Sequence, residues 1–173
     1  GTYETFVEVY HKVVRNSLDF KDGANLLLNP FLETALIPTT GTSYGAEFAV
    51  SKTAGRLQGT FNYTFSRSFR QDESKFERIN EGKKYPSNYD QPHVLNAAWR
   101  YAICRRLFFS GNFVYHTGRP FSMPSTVYQV NGVPISDFQN RNGYRIPDYH
   151  RLDLALVVEG NHKRHKVWSG HWI

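Results

Sequence analysis

The chain has 173 residues, a formal charge of +6, one cysteine and a mean hydropathy of −0.53. No stretch reaches the ~18 consecutive apolar residues of a spanning helix, a test that strands pass unnoticed because their alternation averages out. The single Cys104 excludes an internal disulfide framework and a multi-cysteine zinc site. Basic residues gather at turns and loops, as in Lys83-Lys84, Arg105-Arg106 and His162-Lys163-Arg164-His165-Lys166. They do not interleave with aromatics along one sheet face, so no nucleic-acid partner is expected.

The first predicted strand, Tyr3 to Val14, sets Val7, Val9 and Val13 against Glu4, Glu8 and Lys12, with Phe6 and Tyr10 sharing the charged face. A long polar loop is predicted from Asn16 to about Thr42. The next strand, Tyr44 to Lys52, opposes Tyr44, Ala46, Phe48 and Val50 to Gly45, Glu47, Ala49 and Ser51. A tight turn at Thr53-Ala54-Gly55 leads into the clearest strand of the chain. There Leu57, Gly59, Phe61, Tyr63 and Phe65 point one way, and Gln58, Thr60, Asn62, Thr64, Ser66 and Ser68 the other.

A second long loop, Arg70 to Gln91, precedes the predicted strand His93 to Ile103, with Leu95, Ala97, Trp99, Tyr101 and Ile103 opposite Asn96, Ala98 and Arg100. The basic turn Cys104-Arg105-Arg106 joins it to Leu107–Thr117, where Leu107, Phe109, Phe113 and Tyr115 oppose Ser110, Asn112 and His116. A third long loop runs from Gly118 to about Tyr149. The strand Arg151 to Glu159 alternates Leu152, Leu154, Leu156 and Val158 with Arg151, Asp153, Ala155 and Glu159, and Val167-Trp168 opens a last, incomplete strand.

The expected fold is all-β: an antiparallel transmembrane β-barrel, here a partial barrel of about seven strands with short turns on one rim and long loops on the other. That asymmetry and the uninterrupted alternation are the marks of outer-membrane barrels. Tyr44, Tyr63, Phe65, Trp99, Tyr101, Tyr115 and Trp168 sit near strand ends, where interfacial girdles lie. Glu8, Glu47, Arg100 and Asp153 are then expected to face the lumen. Both chain ends interrupt a strand pattern, so the chain is expected to be a fragment. An open sheet in lipid exposes backbone polar groups at both edges, so the fragment is expected to need the rest of its barrel.

Several junctions have the form of a known family. Gly41-Thr42-Ser43-Tyr44-Gly45-Ala46-Glu47, Lys52-Thr53-Ala54-Gly55-Arg56-Leu57-Gln58-Gly59 and Asn62-Tyr63-Thr64-Phe65-Ser66 come first. Tyr89-Asp90-Gln91-Pro92-His93, Tyr115-His116-Thr117-Gly118-Arg119-Pro120 and Arg145-Ile146-Pro147-Asp148-Tyr149-His150-Arg151-Leu152-Asp153-Leu154 follow in order. Together they resemble the C-terminal barrel of TonB-dependent outer-membrane receptors, in the forms typical of Bacteroidetes, over essentially residues 1–173. The resemblance implies the outer membrane of a Gram-negative cell and a plug-filled barrel of ~22 strands, within the range of barrels that carry a plug. It implies import of a scarce nutrient such as a siderophore or oligosaccharide. Its implied partners are outer-membrane lipid, the remaining barrel and plug, the TonB complex acting through that plug, and the nutrient itself.

No catalytic residue, cofactor or metal is expected. Asp90, His93, His150 and Asp153 lack a tight ligand spacing and read better as loop-root residues. A barrel-wall hydrolase would want a Gly-x-Ser-x-Gly elbow, which is absent, and Thr117-Gly118-Arg119-Pro120 lacks the rest of a P-loop. Tyr85, Tyr89, Tyr128 and Tyr144 are weak candidates for ligand contact, because recognition resides on loops carried by a rigid scaffold. A passive porin-like or structural barrel and a soluble β-barrel binding module remain alternatives.

Overall fold

The computed structural model describes residues 2–22, 24, 29–74, 79–138, 140–160 and 171–172. The strands in chain order are β1 (Tyr3–Phe20), β2 (Leu36–Lys52), β3 (Leu57–Asp72), β4 (Tyr85–Pro86), β5 (His93–Ala102) and β6 (Leu107–His116). They continue with β7 (Pro120–Phe121), β8 (Thr126–Val130), β9 (Val133–Asp137), β10 (Tyr144–Arg145), β11 (Tyr149–Glu159) and β12 (His171–Trp172). The main sheet is antiparallel throughout, in the order β1-β2-β3-β5-β6-β11-β12, and β4 adds to the end of β3. It is open: among the described residues, β1 and β12 are its two edges and do not pair with each other.

Register makes the alternation of the separate strands into two continuous faces. One row runs Thr5, Val50, Phe61, Ala97, Phe113, Leu152, and the next Val7, Phe48, Tyr63, Leu95, Tyr115, His150. Toward the short turns the same face carries Gly59, Trp99, Gly111 and Leu154, then Leu57, Tyr101, Phe109 and Leu156. The opposite face carries Glu4, Ser51, Thr60, Ala98, Asn112 and Asp153 in one row and Glu8, Glu47, Thr64, Val94, His116 and Tyr149 in another. Among the described residues no layer covers the apolar face: Val9 is 77% exposed and Leu154 56%. The buried apolar cluster lies elsewhere, at Ile37, Ile79 and Tyr85 near the long-loop rim.

Two predicted loops are shorter than the sequence indicated, and the third contains strand of its own. β1 continues to Phe20 and β2 begins at Leu36, so the connection predicted from Asn16 to Thr42 is mostly strand. The cause is a β-bulge. Asn16 takes a left-handed conformation (φ 56°), the register shifts between Val14 and Ser17, and the alternation changes phase there. β3 likewise extends to Asp72. The third loop contains its own hairpin, β8–β9, turning at Asn131-Gly132 with both residues at positive φ (51° and 81°). That is the geometry Asn-Gly favours in two-residue hairpin turns. Trp168 lies outside the described residues.

Trp99 lays its indole over the space that Gly111 leaves. A Cβ on Gly111 would meet the Trp99 indole ring itself, and one on Gly59 would come within 3.0 Å of Trp99 Cα. A large aromatic over a cross-strand glycine restores the packing that glycine lacks. Gly111→Leu should therefore overpack this row and lower stability by about 1–3 kcal/mol. Denaturant unfolding followed by β-sheet circular dichroism would read this as a lower midpoint, and an unchanged midpoint would place the indole elsewhere.

Candidate functional site

The long-loop rim is where the polar residues of the chain converge. Its first element is Asp90, whose side chain is fully buried. A turn closed by the Asp90 N–H donating to the Ser87 carbonyl (2.9 Å) aims the carboxylate at β3. There it accepts hydrogen bonds from the Ser68 N–H (2.7 Å) and Arg67 Nε (3.2 Å). Arg145 Nη2 donates to the other carboxylate oxygen, while Nη1 reaches the carbonyls of Asp90 (2.7 Å) and Gly118 (3.0 Å). A buried carboxylate is tolerated only with this degree of pairing, and the same bonds fasten the second and third loops to β3.

Beside it, the strand roots are stapled together. Thr117 and His93 exchange backbone and hydroxyl hydrogen bonds, and Gln91 Nε2 donates to the Thr117 carbonyl (3.0 Å). The Tyr63 hydroxyl meets His93 Nδ1 at 2.9 Å, and the His116 ring stacks on Tyr149 with centroids 5.0 Å apart. Asp148 accepts from the Tyr115 hydroxyl (2.7 Å) and the Gly118 N–H (3.0 Å). The Tyr115 hydrogen bond, then that of Gly118, holds the Asp148 carboxyl below the usual carboxylate range. Gly118 has no room for a side chain, because a Cβ would strike the Ile146 carbonyl.

A third cluster joins all three long loops. Arg141 donates to Asp19 Oδ1 (2.9 Å), to Asp22 Oδ1 (2.9 Å) and to the Phe20 carbonyl (2.7 Å), across more than a hundred residues of sequence. The Tyr85 hydroxyl donates to Asp19 Oδ2 at 2.9 Å, and Arg70 Nη1 lies 3.3 Å from the same oxygen. Burial first, then the neighbouring Asp19 charge, pushes the Tyr85 phenol above its ordinary range. Asn142 continues the frame, donating to the Pro86 carbonyl (2.7 Å) and the Asn88 side chain (2.6 Å).

This placement sorts the predicted residues. Tyr85 is 1% exposed and is a strut between loops, so it is not open to a ligand; pairing of β4 with Arg70 of β3 turns it onto the sheet. Tyr89 is 75% exposed, Tyr128 stands on the β8–β9 hairpin, and Tyr144 packs its ring 6.1 Å from that of Phe121. Glu8, Glu47, Arg100 and Asp153 share the polar face, with Glu8 directly opposite Glu47. Arg100 pairs with Glu159 (3.0 Å) over the Phe108 ring, and Asp153 pairs with Arg151 (2.9 Å).

Asp90, His93, His150 and Asp153 do not converge. His150 is on the apolar face opposite Tyr115, while Asp153 is on the polar face opposite Asn112. Among the described residues no group of three or more His, Cys, Asp and Glu side chains is arranged to hold a metal ion. Arg141, Asp19 and Asn142 carry the rim without having been singled out in the sequence. The one local signal was Asn142 before Gly143, whose positive φ (55°) marks a tight turn.

No protein-family model, curated protein or solved structure matches the chain.

Two outcomes are expected at this rim. Asp90→Asn removes the charge that two arginines share. The cost should be about 2–3 kcal/mol, below the 3–5 typical of a fully buried pair because both arginines keep contact with water. Hydrogen exchange should then rise at 87–92 and 141–148 and stay unchanged in the middle of β3. Because the folded-state pKa of Asp148 is depressed, its contribution is complete above the ordinary carboxylate range and is lost as pH falls through the lower folded value. Protection of the Gly118 amide should persist through the ordinary carboxylate range in wild type and fall only below it, and should be low at all pH in Asp148→Ala.

Proposed function

We propose that the chain is wall from the C-terminal barrel of a TonB-dependent outer-membrane receptor, with lipid against its apolar face and a hydrated lumen against its polar face. The observation that carries the reading is which face the chain's own loops cover. Ile37, Thr39 and Asp72 lie on the polar face by register, and that is where Ile79, Tyr85 and Arg141 pack, while among the described residues nothing covers the apolar face. A soluble sandwich would bury the apolar face first.

Dimensions agree. On β3 the apolar run Leu57 to Phe65 spans ~30 Å of strand at about 3.3 Å per residue, or ~23 Å when tilted about 40°. The lipid-facing band of such barrels is ~25 Å tall. Beyond it the row His11, Tyr44, Arg67 brings in charge, and the long-loop half of β1–β3 would stand clear of the bilayer. Trp99, Tyr101 and Tyr3 lie at the short-turn end of this band, and Tyr63, Phe65 and Tyr115 toward the other, as two girdles would.

On this reading the short turns are periplasmic and the rim frame around Asp90 and Arg141 is extracellular. Its work is to hold loops in place so that Tyr89, Tyr128 and Tyr144 can contact a nutrient together with the plug. The chemistry is binding and gated passage, not catalysis. TonB would pull on the plug, and the released path would run past Glu8, Glu47, Arg100 and Asp153.

An antibody against residues 70–91 tests this in an outer-membrane fraction. The expected band is several times larger than the 20.0 kDa of this chain and shifts in mobility on boiling. A heat-insensitive species in the soluble fraction would contradict the proposal.

A further inference from the structure

The apolar face is indented at the short-turn end. Gly59 has no side chain, and its row leaves a groove of about 310 Å³ between β1 and β5, bounded by Tyr3, Phe61, Ala97 and Trp99. Lys52 closes one end, its ammonium 5.1 Å above the centre of the Tyr3 ring. Among the described residues no carboxylate lies within ion-pair distance of Lys52. The neighbouring β2–β3 turn adds Arg56, and the β5–β6 turn on the same rim carries Arg105 and Arg106.

A lysine with no carboxylate near it among the described residues, at the end of an apolar groove beside aromatic rings, has the two halves of a lipid site. The slot takes hydrocarbon, and the ammonium with its apolar stem reaches to where a headgroup phosphate lies. We propose that this groove binds one anionic phospholipid, with an acyl chain along Gly59 between Phe61 and Trp99 and the phosphate paired to Lys52. The inference rests on the membrane-barrel reading and adds to it a specific lipid in the leaflet at the short-turn rim. The bare valines and leucines of β1 and β11 offer hydrocarbon contact without a cation at the end of a slot, and carry no such preference.

Native mass spectrometry of the full-length detergent-purified protein tests the site with phosphatidylglycerol and phosphatidylcholine as probes. Wild type should retain a phosphatidylglycerol adduct in preference to phosphatidylcholine by about fivefold, the factor one interfacial lysine contributes. Lys52→Gln should abolish the preference, and Ala97→Phe, which fills the slot, should weaken both adducts. Lys84→Gln, in a long loop, should bind as wild type does. A detergent-dependent barrel with equal adducts, or one in which Lys52→Gln keeps the preference, overturns this inference alone. A protein that stays in solution without detergent and takes up neither lipid overturns the membrane reading with it.

Discussion

Everything about this chain depends on what meets the apolar face of its sheet. Period-two alternation, carried in register across β1, β2, β3, β5, β6 and β11, places valine, leucine and aromatic side chains on one side and charge on the other. A one-residue slip of any strand would reverse its faces, so the register and the two-faced character are the same fact. Such a face demands an apolar partner at about 25 cal/mol for each square ångström withdrawn from water. Among the described residues the chain supplies none. Lipid is the partner we propose, because the chain spends its few packing residues on the other face.

The polar side shows why a frame at the rim is needed. The long loops have only a small apolar cluster at Ile37, Ile79 and Tyr85, and charge-assisted hydrogen bonds add to it in holding them. Asp90 gathers Arg67 and Arg145, and Asp19 gathers Arg70, Arg141 and Tyr85. Each carboxylate ties together segments distant in sequence, so the loops are fixed to the sheet and to one another. Tyr89, Tyr128 and Tyr144 remain exposed, and on the proposed reading they are where a ligand would be met.

Much of the sheet was legible because its signal is local. Leu57 to Ser68 alternates without fault, and Thr53-Ala54-Gly55 and Cys104-Arg105-Arg106 sit where the short turns are. The ends of the first strands were not legible. Arg15 and Asn16 together oppose Thr40, and that extra residue inverts the alternation so that Ser17 to Phe20 no longer looks like a continuation. Tyr85 was misread for a different reason. A tyrosine in a loop has no local mark of burial, and its partner Asp19 is supplied by another strand. The same distance hid Arg141: charge pairs between loops leave no spacing to read.

The most direct test of the central claim is a cysteine scan of β3 in the full-length protein with Cys104 replaced by serine. Nitroxide labels at 57, 59, 61, 63 and 65 would be compared with labels at 58, 60, 62, 64 and 66 in bilayers. The proposal predicts that the odd positions relax with lipid-soluble oxygen and the even positions with a water-soluble paramagnet, alternating at every step. Odd positions shielded from both would mean that protein covers the apolar face, and the membrane-wall reading would be wrong.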